Sequence, residues 1–269
     1  NSANGKLNGK IINASTKEPI TGATILISQG GYTFSTCTSD SSGSYTANLP
    51  AGVYLVDIQM GGYVDFSIYV TVEEGQTKYL QTTMLVNENT RSLGGAFSGK
   101  ITSAVDGTAI EGVELEVRKA WNNPGEGDVV ARMETDANGF YETEYTYLFK
   151  IMVGLPAGNY TVHATCDGYA DTDYNVVVLP NVVRTGMDFT MSPGMAGEDY
   201  RIVLSWGASP SDLDSHYNAL TIDGYRDHVY YSNKLGISAE LDWDDTSSYG
   251  PETITVTDFE ELSNGFVYS

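Results

Sequence analysis

The sequence contains one six-residue pattern twice, as Leu49-Pro50-Ala51-Gly52-Val53-Tyr54 and as Leu155-Pro156-Ala157-Gly158-Asn159-Tyr160. A Gly-Tyr pair follows each copy, at 62–63 and 168–169, so both elements share an offset of 106 residues (155 − 49 and 168 − 62). Pro and Gly turn the chain at the end of one strand, and the Tyr begins the next strand as in a tyrosine corner. The pattern therefore predicts two copies of one β-sandwich, with Tyr54 and Tyr160 as structural corner residues.

Length and charge limit the classes of function. A chain of 269 residues is long enough for two or three domains. Its 35 acidic and 14 basic residues give a net charge of −21, which repels nucleic-acid phosphates and anionic lipid surfaces. No apolar run approaches the ~18 residues of a membrane helix. We therefore expect no nucleic-acid partner and no membrane insertion within this chain.

Outward from the repeated hexapeptide, short alternating runs are separated by turn residues, and no helical period persists. The turn Asp40-Ser41-Ser42-Gly43 has the form of a hairpin turn in which Gly supplies the positive φ, and Asp136-Ala137-Asn138-Gly139 repeats it. This spacing of turn residues between alternating runs predicts an all-β unit of seven strands. The predicted strands of the first unit are 7–14, 23–29, 32–39, 44–49, 53–60, 65–72 and 77–85.

The second unit contains an insertion. Sixteen positions separate Gly139 from Leu155, against six between Gly43 and Leu49. The added residues include Tyr145-Thr146-Tyr147-Leu148-Phe149-Lys150-Ile151-Met152, which is too apolar for an ordinary solvated loop. This segment either packs on a neighbouring domain or offers an edge to a partner, and we expect packing.

Both units resemble the carboxypeptidase regulatory-like family over roughly residues 7–191. The family pattern appears as Pro19-Ile20-Thr21-Gly22-Ala23, as Thr38-Ser39-Asp40-Ser41-Ser42-Gly43-Ser44-Tyr45 and in the repeated hexapeptide. The second unit departs at Ala109-Ile110-Glu111-Gly112-Val113 and at the insertion. The resemblance implies a seven-stranded, transthyretin-like sandwich that serves as a non-catalytic module, frequent in exported bacterial proteins.

A related interpretation of the units is the B-type repeat of pilins and adhesins, which closes a Lys–Asn isopeptide bond beside a buried acid. Lys10 and Lys100 lie on first strands, as that bond would require. However, the last predicted strand of the first unit has no Asn, and the second unit offers only Asp188 there. We therefore do not expect the cross-link.

The third segment has two acidic groups. Residues 212, 214 and 216 alternate, so in extended chain their side chains would project to one side. Like charges held close together need a cation or a proton. Calcium suits the oxygen-rich set, a catalytic zinc or manganese ion would use the imidazole, and a purely structural role for these side chains is the third interpretation. The candidate metal ligands are Asp212, Asp214, His216, Asp242, Asp244 and Asp245.

The segments 205–216 and 241–254 resemble the YfaP-like group of exported bacterial β-domains. They read Ser-Trp-Gly followed by Pro-Ser-Asp-Leu-Asp-Ser-His, and Leu-Asp-Trp-Asp-Asp-Thr-Ser-Ser-Tyr-Gly-Pro-Glu-Thr-Ile. The resemblance implies an extracytoplasmic β-sandwich and supplies no established reaction. Because the sequence ends in what reads as the middle of a strand, we expect this domain to be cut short or completed elsewhere.

Together these patterns predict three tandem β-sandwich domains. They comprise a repeat at 1–86, a linker at 87–95, a second repeat at 96–192, a linker at 193–198 and a third domain at 199–269.

We expect a non-catalytic module array, extracellular or on a bacterial surface, that binds a protein or carbohydrate partner with calcium as its one candidate cofactor. The alternatives are accessory domains of a larger extracellular hydrolase, or a metal-dependent hydrolase in the third domain. No catalytic residue is assigned, and the sequence does not indicate an oligomeric state. The candidate partner-binding residues are Tyr230, Tyr231, Trp243 and Tyr249.

Overall fold

The protein is all-β, as predicted, and its strands surround three hydrophobic cores. The computed structural model describes residues 4–87, 94–148, 151–195, 199–206, 209–221, 223–246 and 250–257, and the backbone of 266–268. The buried residues of the cores lie within 7–85, 97–191 and 217–256. We call these regions the first module, the second module and the third domain. The predicted linkers at 87–95 and 193–198 fall partly outside the described residues, and the domain borders stay predictions.

The first module packs two sheets face to face. One sheet has the order β4-β1-β7, with β8 also paired to β1, and the other has the order β3-β2-β5-β6. Alternating residues of β5 are buried, as the period of a strand with one core-facing side requires. Its strands are β1 (Gly5–Asn13), β2 (Thr24–Gln29), β3 (Tyr32–Thr38), β4 (Ser44–Leu49), β5 (Gly52–Gln59), β6 (Phe66–Val72), β7 (Thr77–Tyr79) and β8 (Thr83–Leu85).

The second module has the same pair of sheets, with orders β12-β9-β15 and β11-β10-β16-β17, and β18 and β19 also pair with β9. A separate two-stranded hairpin, β13-β14, comes from the insertion. The strands are β9 (Gly94–Ser103), β10 (Glu114–Lys119), β11 (Val129–Glu134), β12 (Phe140–Glu142), β13 (Thr146–Leu148), β14 (Ile151–Val153), β15 (Leu155–Pro156), β16 (Gly158–Thr165), β17 (Thr172–Val178), β18 (Val183–Arg184) and β19 (Phe189–Met191).

The last strand of the first module, predicted as one run at 77–85, is interrupted. Asn8 pairs with Tyr79 and Ile11 pairs with Thr83. The two pairs are therefore four residues apart on the last strand but three residues apart on β1. In the second module Phe97 pairs with Arg184 and Ile101 with Phe189, five steps against four. Each module therefore accommodates one extra residue, as a β-bulge does, and the single predicted strand becomes two.

The apolar insertion forms the hairpin β13-β14, with residues 149–150 outside the described part. Tyr147, Leu148 and Ile151 are 57%, 59% and 46% exposed, whereas Met152 is buried. The Met152 N–H donates a hydrogen bond to Asn181 Oδ1 of the same module at 3.3 Å. The expectation that this segment packs on a neighbouring domain is therefore wrong for its described residues, since Met152 packs within its own module and the other apolar side chains are exposed.

The third domain has two smaller sheets, with orders β20-β24-β23 and β22-β21-β25. Its described core includes Tyr217, Val229, Leu241 and Ile254. The strands are β20 (Tyr200–Leu204), β21 (His216–Leu220), β22 (Arg226–Val229), β23 (Ala239–Trp243), β24 (Glu252–Val256) and β25 (Phe266–Tyr268). Among the residues that the structure describes, no helical segment has the length and apolar character of a membrane span.

Candidate functional site

Both predicted tyrosine corners are present. The Tyr54 hydroxyl donates a hydrogen bond to the Pro50 carbonyl at 3.0 Å, and the Tyr160 hydroxyl donates one to the Pro156 carbonyl at 2.6 Å. Burial raises the pKa of Tyr160 to about 12. Each phenol thus fills core volume and satisfies a turn carbonyl, which is the structural role expected of these residues.

The acidic turns of the two modules are also structural. Asp40 Oδ1 accepts hydrogen bonds from the Ser42 and Ser44 N–H groups at 2.8 and 2.9 Å. Asp136 Oδ1 accepts equivalent bonds from Asn138 and Phe140 at 2.8 and 2.9 Å. The hydroxyl of Ser42 first, with backbone N–H groups, lowers the pKa of Asp40, and backbone N–H groups lower that of Asp136. Both carboxylates therefore form turns, as the sequence indicated.

In the first acidic group of the third domain, the predicted alternation does not extend from Asp212 to His216. Residues 212–215 belong to no strand, and β21 begins at His216, so the period of two is not set across this stretch. Asp212 and Asp214 are exposed. His216 Nδ1 lies 3.0 Å from His228 Nε2, so its hydrogen-bond partner is an imidazole and not a carboxylate.

In the second group, Asp242 and Asp244 already have partners. The Thr255 hydroxyl donates a hydrogen bond to Asp242 Oδ2, and the Lys234 ammonium lies 2.7 Å from Asp244 Oδ2. Asp245 follows Asp244 beyond the end of β23. Within the described ranges, no three His, Cys, Asp or Glu side chains form a ready-made metal centre. Calcium binding therefore stays a prediction.

Glu252, which was not among the predicted ligands, lies beneath the first acidic group. It begins β24, the central strand of its sheet, and is 1% exposed. Its Oε2 accepts a hydrogen bond from the Ser215 N–H at 3.0 Å, while Oε1 has no partner in the described structure. Burial first, then the charges of Asp244, Asp214 and Asp212, raise the pKa of Glu252 to about 7.

Tyr230 is part of a compact group of rings. Its ring stacks on His228 with centroids 4.4 Å apart and on His216 with centroids 5.2 Å apart. Tyr231, which is 51% exposed, meets the Tyr230 ring edge-on at 5.2 Å. We call His216, His228, Tyr230 and Tyr231 the ring cluster. It brings two of the predicted partner-binding residues together, whereas Tyr249 lies outside the described residues.

Trp243, another predicted contact residue, lies at the junction with the second module. A Cβ at Gly107 would approach Trp243 Cζ2 to 3.2 Å. The Trp243 Nε1 is buried and has no hydrogen-bond partner among the described residues. Because its ring is against the neighbouring module, Trp243 is placed for packing between domains.

The contact between the two modules uses residues that the sequence did not single out. Asn159 Oδ1 accepts a hydrogen bond from the Ser67 N–H at 2.8 Å, and Asn159 Nδ2 donates one to the Ser67 carbonyl. Two backbone bonds continue this pairing, from Trp121 N–H to the Ser67 carbonyl and from Tyr69 N–H to the Trp121 carbonyl, each 2.9 Å long. The edge strand β6 is thus paired with a segment of the next module.

Trp121 completes the same contact with its side chain. The indole meets the Phe66 ring edge-on with centroids 5.0 Å apart, and its Nε1 donates a hydrogen bond to the Val176 carbonyl at 3.0 Å. A cleft of about 590 Å³ lies beside this junction, lined by residues of both modules. Trp121 comes from the loop between β10 and β11, whose counterpart in the first module is the two-residue turn Gly30-Gly31.

Two further polar side chains of the second module have ordinary hydrogen-bond partners. Asp188 Oδ1 accepts a hydrogen bond from the backbone N–H of Lys100 at 2.8 Å. His163 lies opposite Asp173 on β17, with Nδ1 and Oδ1 2.8 Å apart.

One domain family matches the first part of the chain. Residues 6–85 match the carboxypeptidase regulatory-like domain family. The family assignments of the second module and of the third domain stay predictions.

Solved structures similar to this chain include the TIE protein of Bacillus anthracis, at 16% identity and a TM-score of 0.29, over 94% of this chain and 44% of that chain. The minor pilin of Streptococcus agalactiae is 16% identical, with a TM-score of 0.29, over 72% of this chain and 98% of the pilin. The shaft pilin of Lactobacillus rhamnosus GG is 15% identical, with a TM-score of 0.25, over 73% and 100%. This chain thus spans less than half of the TIE protein, and similarities at this level assign no function.

Proposed function

We propose that the chain is a non-catalytic part of an exported bacterial surface or secreted protein. In this proposal the two modules form a stiff support, and the third domain is presented to an extracellular protein or carbohydrate. The observation that carries the proposal is the junction at Ser67 and Asn159. Side-chain and backbone hydrogen bonds join the modules there, so they are not simply tethered by a linker.

The junction between the second module and the third domain supports the same function. The Arg201 guanidinium donates hydrogen bonds to Ser192 Oγ at 2.7 Å and to the Pro193 carbonyl at 3.0 Å. The Thr253 hydroxyl, which is fully buried, donates to the Ala104 carbonyl of the second module. Because both contacts join the second module to the third domain, they restrict the rotation of one relative to the other, as a stiff support requires.

The ring cluster of the third domain is the proposed contact surface. Tyr and Trp side chains offer a large contact area at little entropic cost, and aromatic faces also stack on sugars. Within the ring cluster, Tyr231 is 51% exposed. The match of residues 6–85 to a regulatory-like family supports a non-catalytic role for the first module.

The experiment is a binding screen of the purified chain against a glycan array and a panel of immobilised extracellular-matrix proteins. We expect a hit for the wild type that Tyr231→Ala weakens at least tenfold. Tyr32→Ala is the matched control, because Tyr32 is 81% exposed but belongs to the first module. Equal loss in both variants, or hydrolysis of a bound glycan or protein by the purified chain, would contradict the proposal.

A further inference from the structure

The side chain of Glu252 is buried without full compensation of its polar atoms. The residue is 1% exposed, and only Oε2 has a described partner, the Ser215 N–H at 3.0 Å. Carboxylate oxygens in protein interiors are normally hydrogen-bonded, paired with a cation or bound to a metal, because an unpaired buried charge is strongly unfavourable. The orphaned Oε1 therefore indicates a missing partner.

The groups around Glu252 are negative. Asp212, Asp214 and Asp244 are the charged side chains whose repulsion acts on it. Asp244 already has a cationic partner, since its Oδ2 lies 2.7 Å from the Lys234 ammonium. The two exposed aspartates have no such counter-ion among the described contacts. A proton or a cation at Glu252 would relieve this repulsion.

We propose that Glu252 Oε1 is a ligand of one calcium ion, with Asp212 and Asp214 as its other side-chain ligands. The Ser215 N–H bond holds the 212–215 segment against Glu252, so the two aspartates are close in the chain to the point where that segment is anchored. Calcium accepts six to eight oxygens in flexible geometry, and backbone carbonyls and water would supply the remainder. This site goes beyond the proposed partner binding and does not depend on it.

The proposed ligand set differs from the six residues that the sequence suggested. His216 bonds to His228, and Asp242 accepts from Thr255, so both have protein partners. The carboxylates do not form a ready-made site in the described structure, so the proposed site requires the aspartate side chains to change conformation. Asp212 and Asp214 are exposed, so a change in their side-chain conformation does not disturb the core.

The alternative partner is a proton, which would keep Glu252 neutral. The two partners are distinguished by titrating the chelator-treated full chain with CaCl₂ and, separately, MgCl₂, using calorimetry at pH 7.5 and thermal melting. We expect one calcium per chain. At a free concentration of 100 times Kd, the melting temperature of the third domain should rise by about 10 °C or more.

The variants are Glu252→Gln, Asp214→Asn and the matched control Glu111→Gln, which removes an exposed carboxylate from the second module. We expect at least a tenfold loss of calcium affinity for the first two and none for the control. In chelator, Glu252→Gln should melt at or above the wild-type temperature, because no charge is then buried. Should that variant fail to fold, the exposed Asp214 provides the same test without disturbing the core.

Two results would overturn the site. One is the absence of both heat and melting shift up to 10 mM calcium, with stabilisation by acid alone, which would assign the missing partner to a proton. The other is wild-type calcium affinity in Glu252→Gln or Asp214→Asn, which would place any bound ion elsewhere.

Discussion

The side-chain amide of Asn159 completes the hydrogen bonding of the Ser67 backbone, accepting from its N–H at 2.8 Å and donating to its carbonyl. Asn159 is 6% exposed. The corresponding residue of the first hexapeptide is Val53, which is 47% exposed. The two copies of the hexapeptide therefore differ at the residue that joins one module to the next.

Exchanging these two residues tests the junction. Asn159→Val leaves the Ser67 backbone without its two side-chain partners and should cost about 1–3 kcal/mol of coupling between the modules. Calorimetry should resolve separate transitions for the two modules of this variant, whereas we expect one shared transition for the wild type. The reciprocal control, Val53→Asn, changes an exposed side chain and should leave the melting curve unaltered. A single unchanged transition in Asn159→Val would show that this amide is not what couples the modules.

Removal of the indole at the same junction should have a larger effect. Trp121→Ala deletes the contact with Phe66 and the bond to the Val176 carbonyl, at a cost of about 3–5 kcal/mol. Hydrogen exchange of the Tyr69 N–H, which bonds to the Trp121 carbonyl, should accelerate. Tyr32→Ala serves as the control because it removes an exposed ring from the same module as Tyr69. Unchanged protection of Tyr69 in Trp121→Ala would contradict this account.

The second tyrosine corner predicts an alkaline limit to stability. The pKa of Tyr160 is raised to about 12 in the folded protein, against about 10 in the unfolded chain. The folded state therefore holds this proton more tightly, so its contribution is complete below pH 10 and falls as pH rises from 10 through 12. Tyr160→Phe should lower the free energy of unfolding by about 1 kcal/mol at pH 8. Between pH 9 and 11, the free energy of unfolding from denaturant titrations should fall less steeply with pH in this variant than in the wild type. The exposed-ring variant Tyr32→Phe should follow the wild type. A decline as steep in Tyr160→Phe as in the wild type would assign the alkaline limit to other groups.

Asp227 is a buried carboxylate with a structural role. It is 3% exposed and accepts hydrogen bonds from the Ile237 N–H at 3.0 Å and from the Ser238 N–H and hydroxyl at 2.8 and 2.7 Å. Asp227→Ala should destabilise the third domain by about 2–4 kcal/mol, because the buried N–H and hydroxyl of Ser238 and the Ile237 N–H lose their acceptor. Chemical denaturation monitored by tryptophan fluorescence measures this, with the exposed Asp223→Ala as control. A change below 0.5 kcal/mol in Asp227→Ala would be inconsistent with the role described.

Sequence reasoning predicted the features that depend on residues close together in the chain. Tyr54 and Tyr160 donate to turn carbonyls four residues away, and Asp40 and Asp136 accept hydrogen bonds within their own turns. A few neighbouring residues are therefore enough to predict these contacts. The break in each module's last strand depends on the register against a distant strand. The pattern of neighbouring residues in the sequence does not determine that register, so the break could not be predicted.

The third domain was harder to predict for the same reason. Glu252 was visible at the end of an acidic stretch, but its burial depends on β24 being the central strand of its sheet. The pairing of His216 with His228 requires β21 and β22 to be neighbours, which the sequence did not establish. Trp121 lies in a loop to which the sequence analysis assigned no role. That loop is longer than the equivalent turn Gly30-Gly31 of the first module, and this difference in length could have indicated a contact.

The covered edge of β6 also affects how fragments of this protein should behave in solution. An open strand edge offers unpaired N–H and C=O groups to any other chain. The Trp121 segment occupies part of that edge in the intact protein. A fragment ending near residue 86 would lose this protection, so it should self-associate and precipitate at concentrations where the two-module fragment stays monodisperse.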